Sequence, residues 1–304
     1  MVDVHDTVPD TGPGAAFQEG GSLHPLGSLA TAVAELGDRA RLCDLYDFSG
    51  APIYDDCYGV DAEEVAVLRD VLRRVPGPVL ELAAGNGRLT LPLLQMGREV
   101  TALDLSAGML AQLEGRVSVL RERIRSRLHI QQGDMTVIDL PDSVPQEYGL
   151  VVLLLASISI LDRDGRVAVL RRARERLSPG GAVLFSIVVT RSEDTDVADH
   201  VHETTGRSGQ GYRIHEVRQQ DTEIRQVGIY PVIDDPTVAV PVGIGVHRVL
   251  DLDGVLAEVA EAGLTLRSQH VVDSPLQGLA EVFLEAFDAT VAPPSDGSEL
   301  APRG

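Results

Sequence analysis

The segment from Val79 to Arg88 constrains the fold of this chain more than any other. It has the pattern of a buried strand that carries Glu81 near its end and runs into a glycine-rich turn. A second apolar strand, 100–103, ends in Asp104. A strand, a glycine turn, a helix and a second strand with a terminal acid form a nucleoside-binding half-unit, because a carboxylate suits ribose hydroxyls. The segment therefore predicts a nucleoside site at the carboxyl ends of two strands.

Strands and helices alternate around this unit. We predict strands at 78–82, 99–103, 128–132, 149–155 and 182–188, and helices near 87–96, 106–126 and 164–177. A continuous apolar run such as 150–155 is typical of a strand in the middle of a parallel sheet with both faces covered. Alternating strands and helices imply right-handed crossovers, so we predict an α/β fold with a doubly wound sheet.

The same patterns set the predicted domain limits. Residues 1–22 and 293–304 are predicted to be disordered tails, because they are rich in small and polar residues without periodicity. Residues 23–76 are predicted to be a helical lead-in, in which Asp61 and Glu64 resemble a capping box.

The sheet domain is predicted to cover 77–292 and to be interrupted by a lid insertion at 190–247. Within and just after the insertion we predict antiparallel strands at 212–219, 222–230 and 238–249, with a turn near Gln220-Asp221. After it, Asp253 is expected to cap a helix that ends at Gly263.

Composition excludes several classes of function. The net charge of −20 disfavours a nucleic-acid surface. All 26 basic residues are Arg, so lysine Schiff-base chemistry is excluded. Cys43 and Cys57 can form neither a disulfide framework nor a metal site alone. Apolar runs are too short for a membrane span and we find no secretory signal pattern, so we expect a cytoplasmic protein without a membrane partner.

Two phosphate-binding motifs are poorly matched. A dinucleotide site needs a third glycine inside the first helix, and Arg88-Leu89-Thr90 follows Gly87 here. A P-loop needs a lysine, which the chain lacks. An NAD-dependent oxidoreductase therefore stays only a weak alternative.

Four motifs in register resemble the class I S-adenosylmethionine-dependent methyltransferases. In chain order they are Glu81-Leu82-Ala83-Ala84-Gly85-Asn86-Gly87, Asp104, Gly133-Asp134 and Leu177-Ser178-Pro179-Gly180-Gly181. Ala83 departs from the family pattern where a glycine is usual, and Gly149 departs where an acid often opens the fourth strand. The resemblance implies a Rossmann-like, seven-stranded methyltransferase sheet with an antiparallel β lid, and S-adenosylmethionine as cofactor.

The resemblance also assigns roles by position. Asp104 is expected to accept bonds from the ribose hydroxyls, Asp134 to face the adenine amine, and Glu81 to order the turn near the methionine end. Tyr54 or Tyr58 is expected to close over that end. The alternative is a half-buried position in the core, which is weighed equally for Tyr54 and is favoured for Tyr58. The cofactor-binding residues implied in this way are Tyr54, Glu81, Ala83, Ala84, Gly85, Asn86, Gly87, Asp104, Leu105, Met109, Gly133, Asp134, Met135, Ala156 and Ser157.

The acceptor side rests on the lid. A hydroxyl acceptor needs a general base, typically His, whereas an amine must mainly be uncharged and aligned. The candidate catalytic residues are His200, His202 and His215, with solvated loop positions as the competing explanation. A metal site is not expected, because nothing fixes its geometry. His247 is expected to be structural or to line the pocket.

Narrower likeness comes from the segment Pro52 to Asp56 and from 77–85 and 97–101, which look similar to actinobacterial methyltransferases of peptide natural products. The daptide methyltransferases, which act on the C-terminal amine of a ribosomal peptide (RiPP), and the mycofactocin-type glycan methyltransferases share this likeness.

We therefore expect N-methylation of a small molecule or modified peptide in natural-product biosynthesis. The most specific expected acceptor is the C-terminal amine of a daptide. The alternatives are O-methylation of a small molecule or glycan, cofactor binding without catalysis, and nucleic-acid methylation, which the charge disfavours. The lid can cap a pocket or build a homodimer.

Overall fold

The computed structural model describes residues 23–59, 61–190, 199–219, 222–273 and 279–290. The helices are α1 Gly27–Leu36, α2 Ala51–Cys57, α3 Ala62–Arg74, α4 Thr90–Gln95, α5 Ala107–Ser118, α6 Glu122–Arg125, α7 Arg163–Glu175 and α8 Leu252–Glu261. The strands are β1 Ala40–Asp44, β2 Val79–Leu82, β3 Val100–Asp104, β4 Leu128–Gln132, β5 Tyr148–Leu153, β6 Leu177–Thr190, β7 Asp199–Thr205, β8 Gly211–Arg218, β9 Ile224–Pro231, β10 Val240–Arg248, β11 Leu264–Asp273 and β12 Leu279–Asp288. Both predicted tails and the predicted turn at Gln220-Asp221 lie outside the described residues.

The larger sheet has seven strands in the order β11-β12-β6-β5-β2-β3-β4. Neighbours from β6 to β4 run parallel, and β12 pairs antiparallel with both β6 and β11. The connections from β2 lead to one side and those from β5 to the other, so the chain reverses its direction of winding between these two strands. This is the predicted doubly wound, Rossmann-like methyltransferase sheet, and its ligand crevice is expected where the winding reverses.

Both faces of this sheet are covered because its central strands are apolar throughout. Every residue of β2 and β5 is buried. Leu80 and Leu82 pack with α7 and α8 on one face, and Val79 packs with α3 and α4 on the other. These packed layers fix the strand ends that carry the site.

A second sheet of five strands has the order β1-β10-β9-β8-β7 and forms the lid. The strands from β8 to β10 are antiparallel, as predicted, and β7, which was not predicted, pairs antiparallel with β8. However, β1 pairs parallel to β10, with Ala40 opposite Val240. The predicted helical lead-in therefore also contains a strand, because β1 adds a parallel edge to the lid sheet. This strand of five residues is too short to show a clear strand periodicity, and it forms through its pairing with β10.

The two faces of the lid have different partners. Helix α1 covers the outer face, where Leu29 packs against Val217 and Val242. The inner face packs against the lead-in through residues such as Leu45 and Ile214. Side chains that point inward from the lid are therefore turned towards the lead-in and the sheet domain.

Several predicted boundaries shift for local reasons. The helix predicted at 106–126 ends at Ser118, and α6 follows separately. The predicted turn Leu177 to Gly181 lies inside β6, where the pairing with β5 shifts register. Asp251, rather than Asp253, caps α8 by accepting from the Gly254 N–H.

The capping box predicted at α3 is only half formed. Asp61 accepts from the backbone N–H groups of Glu63 and Glu64. The Glu64 carboxylate does not return to the cap, because it forms a bidentate ion pair with the buried Arg88 guanidinium. A buried guanidinium needs a charged partner more than an exposed helix end does.

No helix among the described residues is both long and apolar enough to cross a membrane.

Candidate functional site

The turn after β2 is built on backbone conformations that favour glycine. Gly85 and Gly87 have φ angles of +55° and +82°, and Ala83 has +50°. At Gly87 a Cβ would lie 2.3 Å from the Leu113 side chain, so α5 packs closely against the turn. At Gly85 a Cβ would meet no other group closer than 4.0 Å and would project into open space. The turn therefore forms an open cradle whose backbone a ligand can approach.

Asp104 at the end of β3 faces this cradle. Its carboxylate accepts the Gly85 N–H at 2.7 Å and the Ser106 N–H at 2.7 Å. Burial raises the pKa of Asp104, and these backbone bonds oppose the rise. Each oxygen keeps a further lone pair, so the fixed carboxylate can accept from two vicinal hydroxyls.

The next strand end supplies a lip for a flat base. Leu105 follows Asp104 and is 42% exposed, although it is apolar. The Gly133 N–H donates to the Asp104 carbonyl at 2.9 Å, which brings the end of β4 beside the cradle. Asp134 is held by the Thr136 N–H and hydroxyl, both at 2.8 Å from Oδ1. Half-buried Met135 packs against the core. The ends of β3 and β4 thus carry both apolar and acidic side chains, a combination that suits an adenine base.

Buried ionisable groups lie on the other side of the cradle. Glu81 is 3% exposed and accepts the Thr90 hydroxyl at 2.6 Å, and burial raises its pKa to about 8. The Arg88–Glu64 pair lies beside it, and Arg88 also hydrogen-bonds Tyr54. Burial raises the pKa of Tyr54 to about 12. These groups suit the polar methionine end of a nucleoside cofactor.

The observed cradle fits S-adenosylmethionine. A fixed carboxylate serves the ribose, an exposed leucine serves the base, and an open glycine leaves room for the ligand. The remaining assigned residues frame the same turn. Ala84 donates its N–H to the Leu103 carbonyl, and Met109 is buried behind Gly85. Asn86 is 1% exposed, and its Oδ1 has no hydrogen-bond partner.

The end of β5 holds a strained turn. Leu155 and Ala156 have φ angles of +56° and +52°, which cost roughly 1–3 kcal/mol each for residues with a Cβ. The Ala156 N–H donates to the Ser186 hydroxyl at 2.9 Å, and the Ser157 hydroxyl donates to the Leu154 carbonyl at 2.9 Å. Ser157 is half-buried at this end, and Ala156 is buried. The fixed turn forms the side of the crevice opposite the cradle.

His247 on the inner face of β10 lies over this turn. Its Nδ1 is 3.3 Å from the Ser159 hydroxyl, and its Nε2 is 2.8 Å from the Tyr46 hydroxyl. Burial, with a smaller contribution from Arg225, lowers the pKa of His247 to about 3. The side chain is enclosed by protein yet only half-buried, as a cavity-lining group is. Burial therefore favours the neutral imidazole, which lies between Tyr46 of the lead-in and Ser159 just after β5.

Three lead-in tyrosines continue this wall. The Tyr54 ring lies 5.7 Å from Tyr46 and 4.7 Å from Tyr58. Tyr46 also meets His247 edge to face, with ring centroids 6.1 Å apart. The Tyr46 carbonyl accepts the Ser106 hydroxyl, which ties the wall to the helix after Asp104. The aromatic wall thus spans from the cradle to the lid.

The predicted lid histidines are divided between the two faces of the lid. His200 and His202 lie on one face of β7, with ring centroids 5.4 Å apart, and their register places them on the inner face. They belong to the edge strand farthest from β10 in the sheet. Their catalytic role stays a prediction.

His215 lies on the outer face, where it bonds Ser28 at 2.8 Å and stacks on Tyr230. It is 4% exposed and burial lowers its pKa, which favours a packing role. In the described parts of the chain, no three His, Cys, Asp or Glu side chains come together as a metal site.

Sequence reasoning gave no functional role to Tyr46 and placed His247 only as a pocket or structural residue. One signal pointed to both. Gly243 and Gly245 alternate with His247 along β10, and Cβ atoms there would meet the Leu45 side chain and the Tyr46 hydroxyl. Alternate glycines on one strand face indicate close approach of another segment.

Comparisons with known proteins agree with this geometry. A family described as a methyltransferase domain matches residues 79–181. An uncharacterized methyltransferase of Bacillus cereus is 27% identical over 143 residues, which cover 47% of this chain and 61% of that protein. The chain thus spans about three fifths of that curated relative.

Solved structures match more of the chain. The glycopeptide N-methyltransferase MtfA in complex with S-adenosylhomocysteine is 31% identical and has a TM-score of 0.61, covering 88% of this chain and 100% of MtfA. CcbJ from Streptomyces caelestis is 18% identical with a TM-score of 0.67, covering 81% of this chain and 98% of CcbJ, and shows the shared fold.

The cradle, the motifs in register and the full-length match to MtfA agree. The cofactor is S-adenosylmethionine, with which MtfA has also been crystallised. The chain belongs to the class I S-adenosylmethionine-dependent methyltransferases.

Proposed function

We propose that this protein transfers a methyl group from S-adenosylmethionine to an amine of a small molecule or modified peptide in natural-product biosynthesis. One observation carries the proposal: His247 is held between the Ser159 hydroxyl, just after β5, and the Tyr46 hydroxyl of the tyrosine wall, and burial lowers its pKa to about 3.

The bound cofactor supplies an already activated methyl group for in-line displacement. The protein must therefore align the acceptor atom and keep it unprotonated, and alignment alone can supply much of the rate. The turn at Ala156, held by Ser186, and the wall formed by Tyr46 and His247 provide rigid sides for such alignment.

The pKa of His247 favours an amine over a hydroxyl. With a pKa of about 3 and with both ring nitrogens bonded, to the hydroxyls of Tyr46 and Ser159, His247 is a fixed and uncharged group. It is too weak a base to remove a hydroxyl proton efficiently at neutral pH, because a general base works best with a pKa near the working pH. An amine that enters uncharged needs no such base.

The acceptor class is supported by MtfA, a glycopeptide N-methyltransferase. The match covers the whole of MtfA and 88% of this chain. The formal net charge of −20 also suits an acceptor that is cationic in solution. The narrowest proposal, a peptide with a C-terminal amine, follows from the resemblance to the daptide methyltransferases.

Paired acceptors test the proposal. The purified protein is incubated with S-adenosylmethionine and short peptides that end in a primary amine, in the matching alcohol or in a carboxamide. We expect S-adenosylhomocysteine release and a mass gain of one methyl substitution only with the amine. Methylation of the alcohol at an equal rate would contradict the preference, and Asp104→Ala should abolish any turnover that depends on this site.

A further inference from the structure

The lead-in pair Asp55–Asp56 lies where three parts of the molecule meet. The cofactor turn, helix α5 and the hairpin between β7 and β8 all send polar groups to these two residues. The tyrosine wall does not explain this arrangement, because no hydrogen bond among the described residues joins either acid to the side chain of Tyr46, Tyr54 or Tyr58.

Asp55 connects directly to the cofactor turn. Its Oδ1 accepts the Asn86 Nδ2–H at 2.7 Å and also pairs with Arg116 of α5. Asn86 stands between Gly85 and Gly87, and its side chain is almost fully buried. A buried amide held on one side by a carboxylate has a single orientation, so Asp55 sets how this part of the cradle is presented.

Asp55 connects equally to the lid. Its Oδ2 accepts from Arg207 at 2.7 Å, and its carbonyl accepts from the same guanidinium. Because Arg207 belongs to the hairpin after β7, one carboxylate joins the cradle and the lid. Arg116 and Arg207 therefore share one acid. Burial and the nearby Arg207 lower the pKa of Arg116.

Asp56 holds only the hairpin. Its carboxylate accepts the Ser208 N–H at 2.7 Å, the Ser208 hydroxyl at 2.5 Å and the Tyr212 hydroxyl at 2.9 Å. Its carbonyl accepts the Arg207 N–H at 3.0 Å. These bonds lower the pKa of Asp56. The neighbouring acids therefore form a matched pair, of which only Asp55 reaches the cofactor turn.

We propose that Asp55 is a positioning residue of the donor site, which orients Asn86 and couples the cofactor turn to the lid hairpin 206–212. The inference rests on the cofactor site of the proposed methyltransferase and concerns binding, so it is independent of the acceptor. With the cofactor in the cradle, Asn86 is held more firmly, and the Asp55 carboxylate transmits this restraint through Arg207 to the hairpin.

Isothermal titration with S-adenosylhomocysteine tests the cradle half of the proposal. Asp55→Asn keeps the shape and removes the charge, and we expect binding to weaken about tenfold, the effect of one charge-assisted hydrogen bond. Asp56→Asn is the matched control and should bind within twofold of wild type. Thermal unfolding verifies that each variant is folded.

Asn86→Ala approaches the same bond from the other side and serves if Asp55→Asn does not fold. The double variant Asp55→Asn/Asn86→Ala should bind no more weakly than Asn86→Ala alone, because the two residues act through one bond. A general loss of structure would instead make the two effects multiply.

Hydrogen exchange tests the coupling half. Addition of S-adenosylhomocysteine should slow exchange of the 206–212 amides in wild type and Asp56→Asn, and this difference should vanish in Asp55→Asn. Unchanged affinity in Asp55→Asn, equal weakening by Asp56→Asn, or equal cofactor-dependent protection in both variants would overturn the inference. A protein that binds S-adenosylhomocysteine but methylates no amine would overturn the proposed function alone.

Discussion

Replacement of Asp104 by Ala removes the carboxylate that we assign to the cofactor ribose. In the structure this group already accepts two backbone N–H groups at 2.7 Å, so its position is fixed before a ligand arrives. A hydrogen bond to a charged group contributes about 1.5–3 kcal/mol, so loss of two ribose bonds costs about 3–6 kcal/mol. At about 1.4 kcal/mol per factor of ten, S-adenosylhomocysteine should bind roughly a hundredfold to ten-thousandfold more weakly.

Isothermal titration measures this loss directly. Asp142→Ala removes an exposed acid from the loop between β4 and β5 and should leave the affinity unchanged. Asp104→Asn should not restore binding, because the new amide places an N–H₂ group against the N–H of either Gly85 or Ser106. A folded Asp104→Ala protein that binds within threefold of wild type would refute the assignment.

Three further changes test other parts of the structure. His247→Gln should lower kcat and leave the affinity for S-adenosylhomocysteine unchanged. In the wild type, kcat/KM should rise with pH only as the acceptor amine loses its own proton. An inflection near pH 6.5 that disappears in the variant would contradict a neutral His247. Because the pKa of Glu81 is raised from 4.5 to about 8, its contribution to stability is present below pH 4.5 and lost as the pH rises to about 8. In urea unfolding, the free energy of unfolding of Glu81→Gln should therefore lack this decline with pH. A pH profile that is the same in the variant as in the wild type would contradict the raised pKa of Glu81. Gly87→Ala should lower the unfolding free energy by about 1–3 kcal/mol through the clash with Leu113. Gly115 lies on α5, the helix that carries Leu113, and a Cβ there would meet no other group within 4 Å. Gly115→Ala should therefore be neutral or should stabilise the protein by up to about 1 kcal/mol. Equal effects of the two substitutions would contradict the packing argument.

The sheet and its cofactor turn were predictable because their signals are local. Each signal lies at or directly after the end of a strand. They are Glu81, the glycines at 85 and 87, and the acid at 104. The structure places these groups around one cradle, with Gly85 bonded to Asp104. Spacing along the chain was sufficient here because parallel strands bring their carboxyl ends to one edge.

The lid was only partly predictable because its decisive contacts are distant in sequence. Ala40 pairs with Val240 across two hundred positions, and the five residues 40–44 are too few to show a strand periodicity. The role of β1 therefore depends on β10, which supplies its hydrogen bonds. The edge strand β7 was missed for the same reason, since its alternation is weak and it depends on β8.

The acceptor side shows how burial and strand face decide between similar residues. His215 and His247 both lie in predicted strands of the lid region, and the side-chain type does not separate them. The register places His215 under α1, whereas His247 meets Tyr46 and Ser159 over the end of β5. Only the pairing of β8, β9 and β10 determines which of the two faces the crevice.

A crystal structure of the protein with S-adenosylhomocysteine tests the central claim most directly. We predict that both ribose hydroxyls lie within hydrogen-bond distance of the Asp104 carboxylate and that the sulfur faces the space between Ala156 and His247. A ligand whose ribose lies away from Asp104, or whose sulfur is screened from His247 by the core, would contradict this account of the donor and acceptor sites.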